Sequence, residues 1–252
     1  MNRSEAKFFN NNELHFYDAT NLPFGYLLKS LIVKIRRKLF GKILHSDDRF
    51  MWTMTSVSDA IETPTENVRN YLERKTIRNI LKEITKEEQI ISACEIGCGY
   101  GRVIMVIKEF AQKVIGFERE SHLVDIARSL LPDIEVLQVD TIDKISELNK
   151  GPFDFVMTCT VLQHLPDDFC KRVLLDIQKL VPRGHVLLIE KTEDISTTEN
   201  LNDVNEFISR ARAVGIYKEW MGPFDMIGTW PRILEATYFN KSPGTCMLFK
   251  RH

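Results

Sequence analysis

Residues 94–101 constrain the fold of this chain more than any other part of the sequence. They read CEIGCGYG, with three glycines spaced two residues apart, directly after an apolar, β-branched stretch. Glycine admits positive φ and lets a ligand approach the backbone, so the pattern predicts a strand that ends in a tight turn. Apolar positions in residues 103–110 recur at helical spacing, so helix-start N–H groups should face that ligand. The expected occupant is a nucleotide-like cofactor.

The spacing of the glycines separates two classes of nucleotide-binding protein. The dinucleotide fingerprint is G-x-G-x-x-G, but here the third glycine comes one residue earlier and Arg102 stands where it would fall. Glu95 lies two residues before Gly97. This pattern resembles the first motif of class I S-adenosylmethionine-dependent methyltransferases, whose cofactor carries a cationic sulfonium and an ammonium, so a neighbouring acid suits it. Another nucleotide site and a purely structural turn are the alternatives.

Length and composition bound the class of protein. A chain of 252 residues suits one α/β domain with an appendage, or two small domains. Its apolar fraction of 44% supports a sizeable core, and its net charge of −1 gives no argument for nucleic-acid binding. We therefore expect a globular protein without a nucleic-acid partner.

Cysteine usage and the apolar pattern predict the compartment. The five cysteines are odd in number and scattered, which favours reduced thiols in a cytoplasmic protein. No C-x-x-C or H-E-x-x-H motif occurs, so no structural or catalytic metal is predicted. The first residues lack an apolar core of signal-peptide type, and no stretch approaches the roughly 20 apolar residues of a membrane-spanning helix.

Residues 88–190 alternate strand and helix signals at the spacing of βαβ units. After the strand that ends at Glu95, we predict strands at 113–118, 134–139, 153–159 and 185–190, helices at 120–131 and 166–180, and a last strand at 245–250. This alternation predicts an α/β fold with a doubly wound, mostly parallel sheet, whose ligands bind at the carboxyl ends of the strands. The resemblance implies seven strands in the order 3-2-1-4-5-7-6.

Acidic residues end the first three predicted strands. Glu95 ends the first, Glu118 follows 23 residues later at the end of the second, and Asp140 ends the third. A carboxylate at the end of the second strand can accept hydrogen bonds from both ribose hydroxyls, and Asp140 can accept one from the adenine amino group. Alternatively, these acids face solvent or cap the next helix.

The resemblance to class I methyltransferases covers residues 85–190. It includes DFVMTCTVLQHLP at 154–166, which looks like the fourth motif of the family. It implies that four residues hold the methionyl part of the cofactor: Glu95, Gly97, Gly99 and Gly101. The backbone of Thr158 and Cys159 would line the position of methyl transfer.

The same resemblance assigns the adenosine half of the cofactor. Glu118 would hold the ribose, and Asp140 with its neighbour Thr141 would hold the adenine end. Arg119 departs from the pattern; its side chain either points to solvent or stacks beside the adenine. No N-P-P-Y segment follows the fourth strand, which argues against methylation of nucleobase amines, and no motif of a divalent-metal catechol site is evident.

His164 is the candidate catalytic base. Methyl transfer from a sulfonium is an in-line displacement, so a hydroxyl acceptor needs alignment and a proton acceptor. His164 follows the fourth strand near the expected methyl position, and Glu190 is a weaker candidate. The alternative for His164 is a histidine that hydrogen-bonds the backbone of its own loop.

Residues 1–70 have no place in the sheet and are predicted to form a helical cap, with residues 71–252 as the catalytic domain. Within the cap, residues 29–45 carry six positive charges and no acid, with apolar residues at helical spacing. We favour a helix that packs on the core and exposes its basic face to solvent. The alternatives are peripheral contact with an anionic membrane surface and contact with an anionic substrate. Aromatic residues at 50–52 are expected to pack in the core or to close over the cofactor.

The last 60 residues carry the acceptor predictions. Residues 201–214 are predicted as a helix, and 215–221 and 234–239 compete for the sixth strand. Residues 222–232 are predicted as a substrate loop in which Trp230 and Arg232 contact the acceptor. Arg232 would clamp a phosphate or carboxylate, unless it forms a surface ion pair.

These features predict methyl transfer to an oxygen of a small or glycan-linked acceptor, phosphorylated acceptors included. The basic cap and the LQHLP segment are similar to bacterial methyltransferases of capsule and surface-polysaccharide biosynthesis. N-methylation of a small amine and a non-catalytic cofactor-binding partner subunit are the alternatives.

Overall fold

A computed structural model of the chain describes residues 64–192, 210–232 and 244–252. The chain divides into two compact units, Met1–Leu72 and Glu73–His252. Of the first unit, only residues 64–72 are described, so the predicted basic helix at 29–45 and the aromatic residues at 50–52 lie outside the described residues. The predicted domain boundary after residue 70 stays a prediction.

The described elements alternate along the chain as the sequence predicts. The α-helices are α1 (Pro64–Glu87), α2 (Ile104–Lys108), α3 (Ser121–Leu130), α4 (Asp167–Leu180) and α5 (Val214–Trp220). The strands are β1 (Ile90–Ile96), β2 (Ala111–Glu118), β3 (Glu135–Gln138), β4 (Phe155–Cys159), β5 (Gly184–Glu190), β6 (Asp225–Pro231) and β7 (Thr245–Arg251). Short 3₁₀ turns lie at Ile145–Leu148 and Leu162–His164.

The described strands form one sheet in the order β3-β2-β1-β4-β5-β7-β6. The pairs from β3 to β5 are parallel, and β7 pairs antiparallel with both β5 and β6. The predicted sheet order is therefore confirmed. This order places the ends of β1, β2 and β4 next to one another, where a parallel sheet binds its ligands.

Helices cover both faces of the sheet. Every residue of β4 and β5 is buried, as expected for central strands covered on both sides. Successive residues of β4 alternate between two apolar clusters: Phe155 and Met157 pack with α1 and α2, and Val156 packs with α4 and α5. Two cores of similar size thus hold the central strands rigid, and the side chains at their ends are fixed with them.

The sixth strand differs from the prediction. Residues 215–221, one of its two candidates, belong largely to α5, because the buried Tyr217 and Met221 are four residues apart and share a helix face. The competing candidate at 234–239 lies outside the described residues. The strand is Asp225–Pro231, within the segment predicted as a substrate loop. Residues 210–213, predicted as the end of a helix, are not helical.

No helix in the described part of the chain is long and apolar enough to cross a membrane.

Candidate functional site

The predicted glycine turn follows β1 and is fastened to β2. The N–H groups of Gly97 and Cys98 both donate to the carbonyl oxygen of Phe117, at 2.7 and 3.1 Å. Gly97 has a φ of +72°, and a Cβ there would lie 2.5 Å from Cγ2 of Val161. Position 97 thus lacks both the conformation and the space for a side chain. The turn after β1 and the turn after β4 are in direct contact.

Glu118 joins the ends of β1 and β2. Its carboxylate accepts hydrogen bonds from the N–H of Gly99 at 2.8 Å, of Arg119 at 2.7 Å and of Glu120 at 3.0 Å. The side chain is buried at the bottom of the turn. Two of the predicted cofactor residues, Gly99 and Glu118, are therefore in contact. The role of Glu118 toward a ribose stays a prediction.

Glu95 is a buried acid with an unsatisfied oxygen. Its residue is 2% exposed, and Oε2 has no hydrogen-bond partner in the part of the chain that the structure describes. Burial raises the pKa of Glu95 well above its usual range; the charge of Arg102 opposes this, and those of Glu73 and Glu118 add to it. A buried polar atom without a partner is costly. A ligand that donates a hydrogen bond there, such as an ammonium, fits this oxygen.

The predicted adenine contacts lie at the outer side of the sheet end. Asp140 is exposed, two residues beyond the end of β3. The hydroxyl of Thr141 donates to the carboxylate of Asp143. The guanidinium of Arg119 pairs with Glu120 at 3.0 Å, so its side chain is held by its neighbour. The roles of these residues toward an adenine remain predictions.

A second group of charges lies inside the same end of the sheet. Glu73 of α1 is fully buried, and its carboxylate accepts hydrogen bonds from Arg102 and Arg232. The thiol of Cys159, at the end of β4, donates to Glu73 at 3.3 Å, and Arg102 donates to its sulfur at 3.6 Å. Burial alone would raise the pKa of Glu73, but the two guanidinium groups lower it below its usual range. We call these four residues the arginine cluster.

Neither predicted acceptor residue lies in an open loop. Arg232 is buried in the arginine cluster, and Trp230 of β6 packs against the core. Arg232 is 6% exposed and paired with Glu73, so its ion pair is internal, not at the surface. Trp230 lies on β6, not in a loop, and packs against the core. A Cβ at Gly228 would lie 2.3 Å from the Trp230 ring, so the indole covers that glycine. Their roles toward an acceptor stay predictions.

Glu190 holds the turn after β4. Its carboxylate is fully buried and accepts from the Thr158 hydroxyl at 2.9 Å and from the N–H groups of Val161 and Gln163 at 3.3 and 3.1 Å. Burial raises the pKa of Glu190, and these hydrogen bonds oppose the rise. Glu190 thus organises this turn, which leaves His164 as the better candidate for a base.

The hydrogen bonds of Gln163 fix how it meets His164. Oε1 of Gln163 accepts from the N–H of Lys191 at 2.8 Å, so the other end of the amide is the NH₂ group. That nitrogen lies 3.2 Å from Nε2 of His164. Nε2 of His164 is therefore the acceptor, and a neutral ring carries its proton on Nδ1.

Within the described residues, no group of three or more His, Cys, Asp or Glu side chains could hold a metal ion.

Residues 93–184 match a family model described as the methyltransferase domain. The matched segment runs from within β1 to the start of β5. No curated protein matches the chain.

Several solved methyltransferases share the fold. Magnesium protoporphyrin IX methyltransferase from Synechocystis, with bound S-adenosylmethionine, is 15% identical with a TM-score of 0.56, over 89% of this chain and 97% of that chain. The N-methyltransferase NodS from Bradyrhizobium japonicum is 14% identical with a TM-score of 0.57, over 71% and 87%. The mitomycin 7-O-methyltransferase MmcR is 16% identical with a TM-score of 0.58, over 83% and 60%. At such identities the likeness shows the fold.

The domain match supports the prediction of a methyltransferase, and one of the solved structures that share the fold contains bound S-adenosylmethionine, the predicted cofactor. Sequence reasoning missed several residues that organise the methyltransferase domain. Arg102 drew notice only as the residue in place of a glycine, and Glu73 lies in a helix whose pattern marks no site. Arg212 fell within a predicted helix. Each acts through a partner distant in sequence, so no local pattern could have indicated it.

Proposed function

We propose that this methyltransferase transfers a methyl group to an oxygen of a small or glycan-linked acceptor, phosphorylated acceptors included, in bacterial capsule or surface-polysaccharide biosynthesis. The observation that carries the proposal of a donor site is the bare, buried oxygen of Glu95 beside the glycine turn. The basic segment at residues 29–45 supports an anionic acceptor or an anionic membrane surface nearby. The five cysteines, all free and buried, favour a reaction in the cytoplasm.

The residues after β1 and β2 fit the two polar ends of S-adenosylmethionine. Glu95 offers a buried acceptor to the ammonium, and Glu118 offers a carboxylate to the ribose hydroxyls. The glycine turn lets the ligand reach the backbone. When bound, S-adenosylmethionine supplies an already activated methyl group on its sulfonium.

The protein therefore contributes alignment, exclusion of water and a proton acceptor. Alignment of the reactants is worth about 7–11 kcal/mol, and a positioned base about 10²–10⁴ in rate. His164 takes the proton of an acceptor hydroxyl at Nε2, the atom that now accepts from Gln163. The acceptor hydroxyl replaces the Gln163 amide as the donor to Nε2. Before the acceptor binds, the hydrogen bond from Gln163 keeps Nε2 of a neutral ring unprotonated.

A screen for S-adenosylhomocysteine production tests the proposal. We expect turnover with phosphorylated sugars or phosphoesters that carry a free hydroxyl, and none with amines. Turnover confined to amines would establish the alternative of N-methylation. Tight cofactor binding with no turnover on any acceptor would favour a non-catalytic subunit.

The role of His164 is tested with the acceptor that the screen identifies. His164→Ala should lower turnover about 10²–10⁴-fold at nearly constant cofactor affinity, since only proton transfer is lost. His252→Ala, at the exposed C-terminal residue, is the matched control. Full turnover in His164→Ala would remove His164 as the base.

A further inference from the structure

The turn that follows β4 is held at both ends by buried side chains of opposite charge. This turn, residues 161–165, contains the 3₁₀ segment Leu162–His164. Glu190 binds its first N–H groups, as described above. Arg212 binds its carbonyl groups from the other side: one Nη donates to the carbonyl oxygen of Leu162 at 2.8 Å, and the other donates to that of Leu165.

Arg212 is itself fixed in place. It is 4% exposed, and its Nε donates to the carboxylate of Asp167, the first residue of α4, at 2.9 Å. Its guanidinium also lies 5.8 Å from the centre of the Trp220 ring. The planar guanidinium can bind two carbonyl groups at once, which the ammonium of a lysine cannot do in the same geometry.

A pair of buried charges is by itself weak evidence for a contribution to stability. Well-packed apolar residues often replace buried ionic groups at no cost in stability, because burial of each charge is unfavourable. Apolar residues cannot, however, bind the N–H and carbonyl groups of a short irregular turn. The hydrogen bonds of Glu190 and Arg212 go largely to the backbone of this one turn, and their specific effect is to fix its conformation.

We propose that Glu190 and Arg212 are positioning residues for His164. They hold the turn so that the amide of Gln163 donates to Nε2 of His164, which keeps that nitrogen unprotonated and aimed in one direction. The N–H of Arg210 also donates to the carbonyl oxygen of Gln163, at 2.6 Å, so residues 210–212 and the turn form one hydrogen-bonded unit. The importance of this positioning for catalysis rests on the proposed function, in which His164 is the base.

The tautomer of His164 is the direct measurement. In the full-length protein with ¹⁵N-labelled histidine, the His164 signal is assigned by its loss in His164→Asn. We expect the wild-type ring to carry its proton on Nδ1, and the variants Glu190→Gln and Arg212→Lys to show a mixture of tautomers. A wild-type ring with its proton on Nε2, or an unchanged tautomer in both variants, would overturn the proposal.

Matched controls come from exposed ion pairs elsewhere in the same domain. Arg172→Lys removes the guanidinium that pairs with Asp143, and Glu135→Gln removes the carboxylate that pairs with Lys150. Neither control should change the His164 signal. A change in the controls as large as in the variants would show a general loosening of the domain and would contradict a specific role.

Two further measurements separate positioning from a general loss of structure. Amide hydrogen exchange across residues 161–165 should become about tenfold faster in Arg212→Lys, while the affinity for S-adenosylhomocysteine stays within about threefold. Equal acceleration over the whole domain, or no acceleration in the turn, would contradict the proposal. If Arg212→Lys or Glu190→Gln does not fold, Thr158→Val removes one donor to Glu190, and an unchanged tautomer there overturns the proposal.

These results are independent of the proposed reaction. A tautomer that changes as expected, together with full turnover in His164→Ala, would leave the positioning intact and reject the base. An unchanged tautomer, together with lost turnover in His164→Ala, would reject the positioning alone.

Discussion

Two acids at the same end of the sheet, Glu73 and Glu95, are almost equally buried, and their pKa values are shifted in opposite directions. Glu73 is 0% exposed and Glu95 is 2% exposed. The pKa of Glu73 lies below its usual range, because the charges of Arg102 and Arg232 outweigh the effect of burial. The pKa of Glu95 lies well above its usual range, because burial outweighs the attraction of Arg102. Burial alone therefore does not decide ionisation; the partners do.

The two acids also differ in whether the protein itself satisfies their hydrogen bonds. The carboxylate of Glu73 is satisfied by groups of the protein itself. Oxygen Oε2 of Glu95 has no partner among the described residues. Removal of Glu73 should therefore damage the fold, whereas removal of Glu95 should damage the binding of a ligand. The following predictions test this division, from the largest effect to the smallest.

Glu73→Gln should destabilise the domain by about 3–5 kcal/mol, because it leaves the guanidinium groups of Arg102 and Arg232, whose side chains are 16% and 7% exposed, without their counter-charge. Equilibrium unfolding in urea measures the loss. Glu83→Gln, which removes an exposed partner of Lys86, is the control and should cost less than about 1 kcal/mol. A similar, small loss in both variants would show that the arginine cluster does not hold the fold together.

Glu118→Ala should weaken binding of S-adenosylmethionine by about two orders of magnitude. The variant loses charge-assisted hydrogen bonds, worth about 1.5–3 kcal/mol each, to the ribose. It also frees the N–H of Gly99 in the turn. Calorimetry measures the affinity, with Glu135→Ala as an exposed control. Unchanged affinity in Glu118→Ala would refute the ribose role.

Cofactor binding should release a proton from Glu95. The acid has a raised pKa in the free protein, and a cationic ammonium beside it should lower that pKa. Affinity should then rise with pH through the titration of Glu95, and Glu95→Gln should lose this dependence. Calorimetry in two buffers of different ionisation enthalpy counts the protons. The charged groups that act on Glu95 are Arg102, Glu73 and Glu118. Equal proton release in the wild type and in Glu95→Gln would show that a group other than Glu95 releases the proton.

The last and smallest predicted effect concerns His185, a buried base far from the candidate site. It tests whether burial and charged partners also decide the ionisation of a base. Burial lowers the pKa of His185; Glu88, at 3.9 Å, opposes this shift, and Lys250 adds to it. The folded state thus binds the proton less readily than the unfolded state. The stability contributed by neutral His185 is present above about pH 6.5 and is lost as the pH falls through the lowered pKa of the folded state.

His185→Gln should therefore reduce the loss of stability between about pH 7 and pH 5, by less than about 1 kcal/mol. Urea unfolding at the two pH values measures the difference, and His122→Gln, at a partly exposed position of α3, is the control. If His185→Gln is as sensitive to pH as the wild type, another group causes the acid loss.

Most of the fold could be predicted from sequence, because its signals are local. The predicted strands and helices from 90 to 190 agree with the structure to within two residues at each end. The sixth strand was wrong for a physical reason. Gly222 and Pro223 precede β6, and Gly228 and Pro231 lie within it, so the segment looks like a loop. Its pairing with β7 and the packing of Trp230 against the core form it as a strand. Tertiary contacts of this kind leave no local pattern.

The candidate site also contains contacts that the sequence could predict and contacts that it could not. The contact between Gly99 and Glu118 was predictable, because Gly99 follows β1, Glu118 ends β2, and these two strands are neighbours in the sheet. The pairing of Glu73 with Arg232 spans 159 residues, and Arg212 meets the turn after β4 from 47 to 50 residues away. Such pairs depend on how loops return to the sheet, which periodicity does not encode.

The glycine turn has a consequence for how freely this protein can vary. A side chain at Gly97 would meet Val161, whereas a Cβ at Gly99 would find no atom within 4 Å, although its φ is +56°. Asparagine and aspartate tolerate that left-handed conformation. In a library of randomised codons selected for activity, only glycine should survive at 97, while 99 should admit small polar residues. Diversification of the cofactor loop should therefore begin at the second glycine.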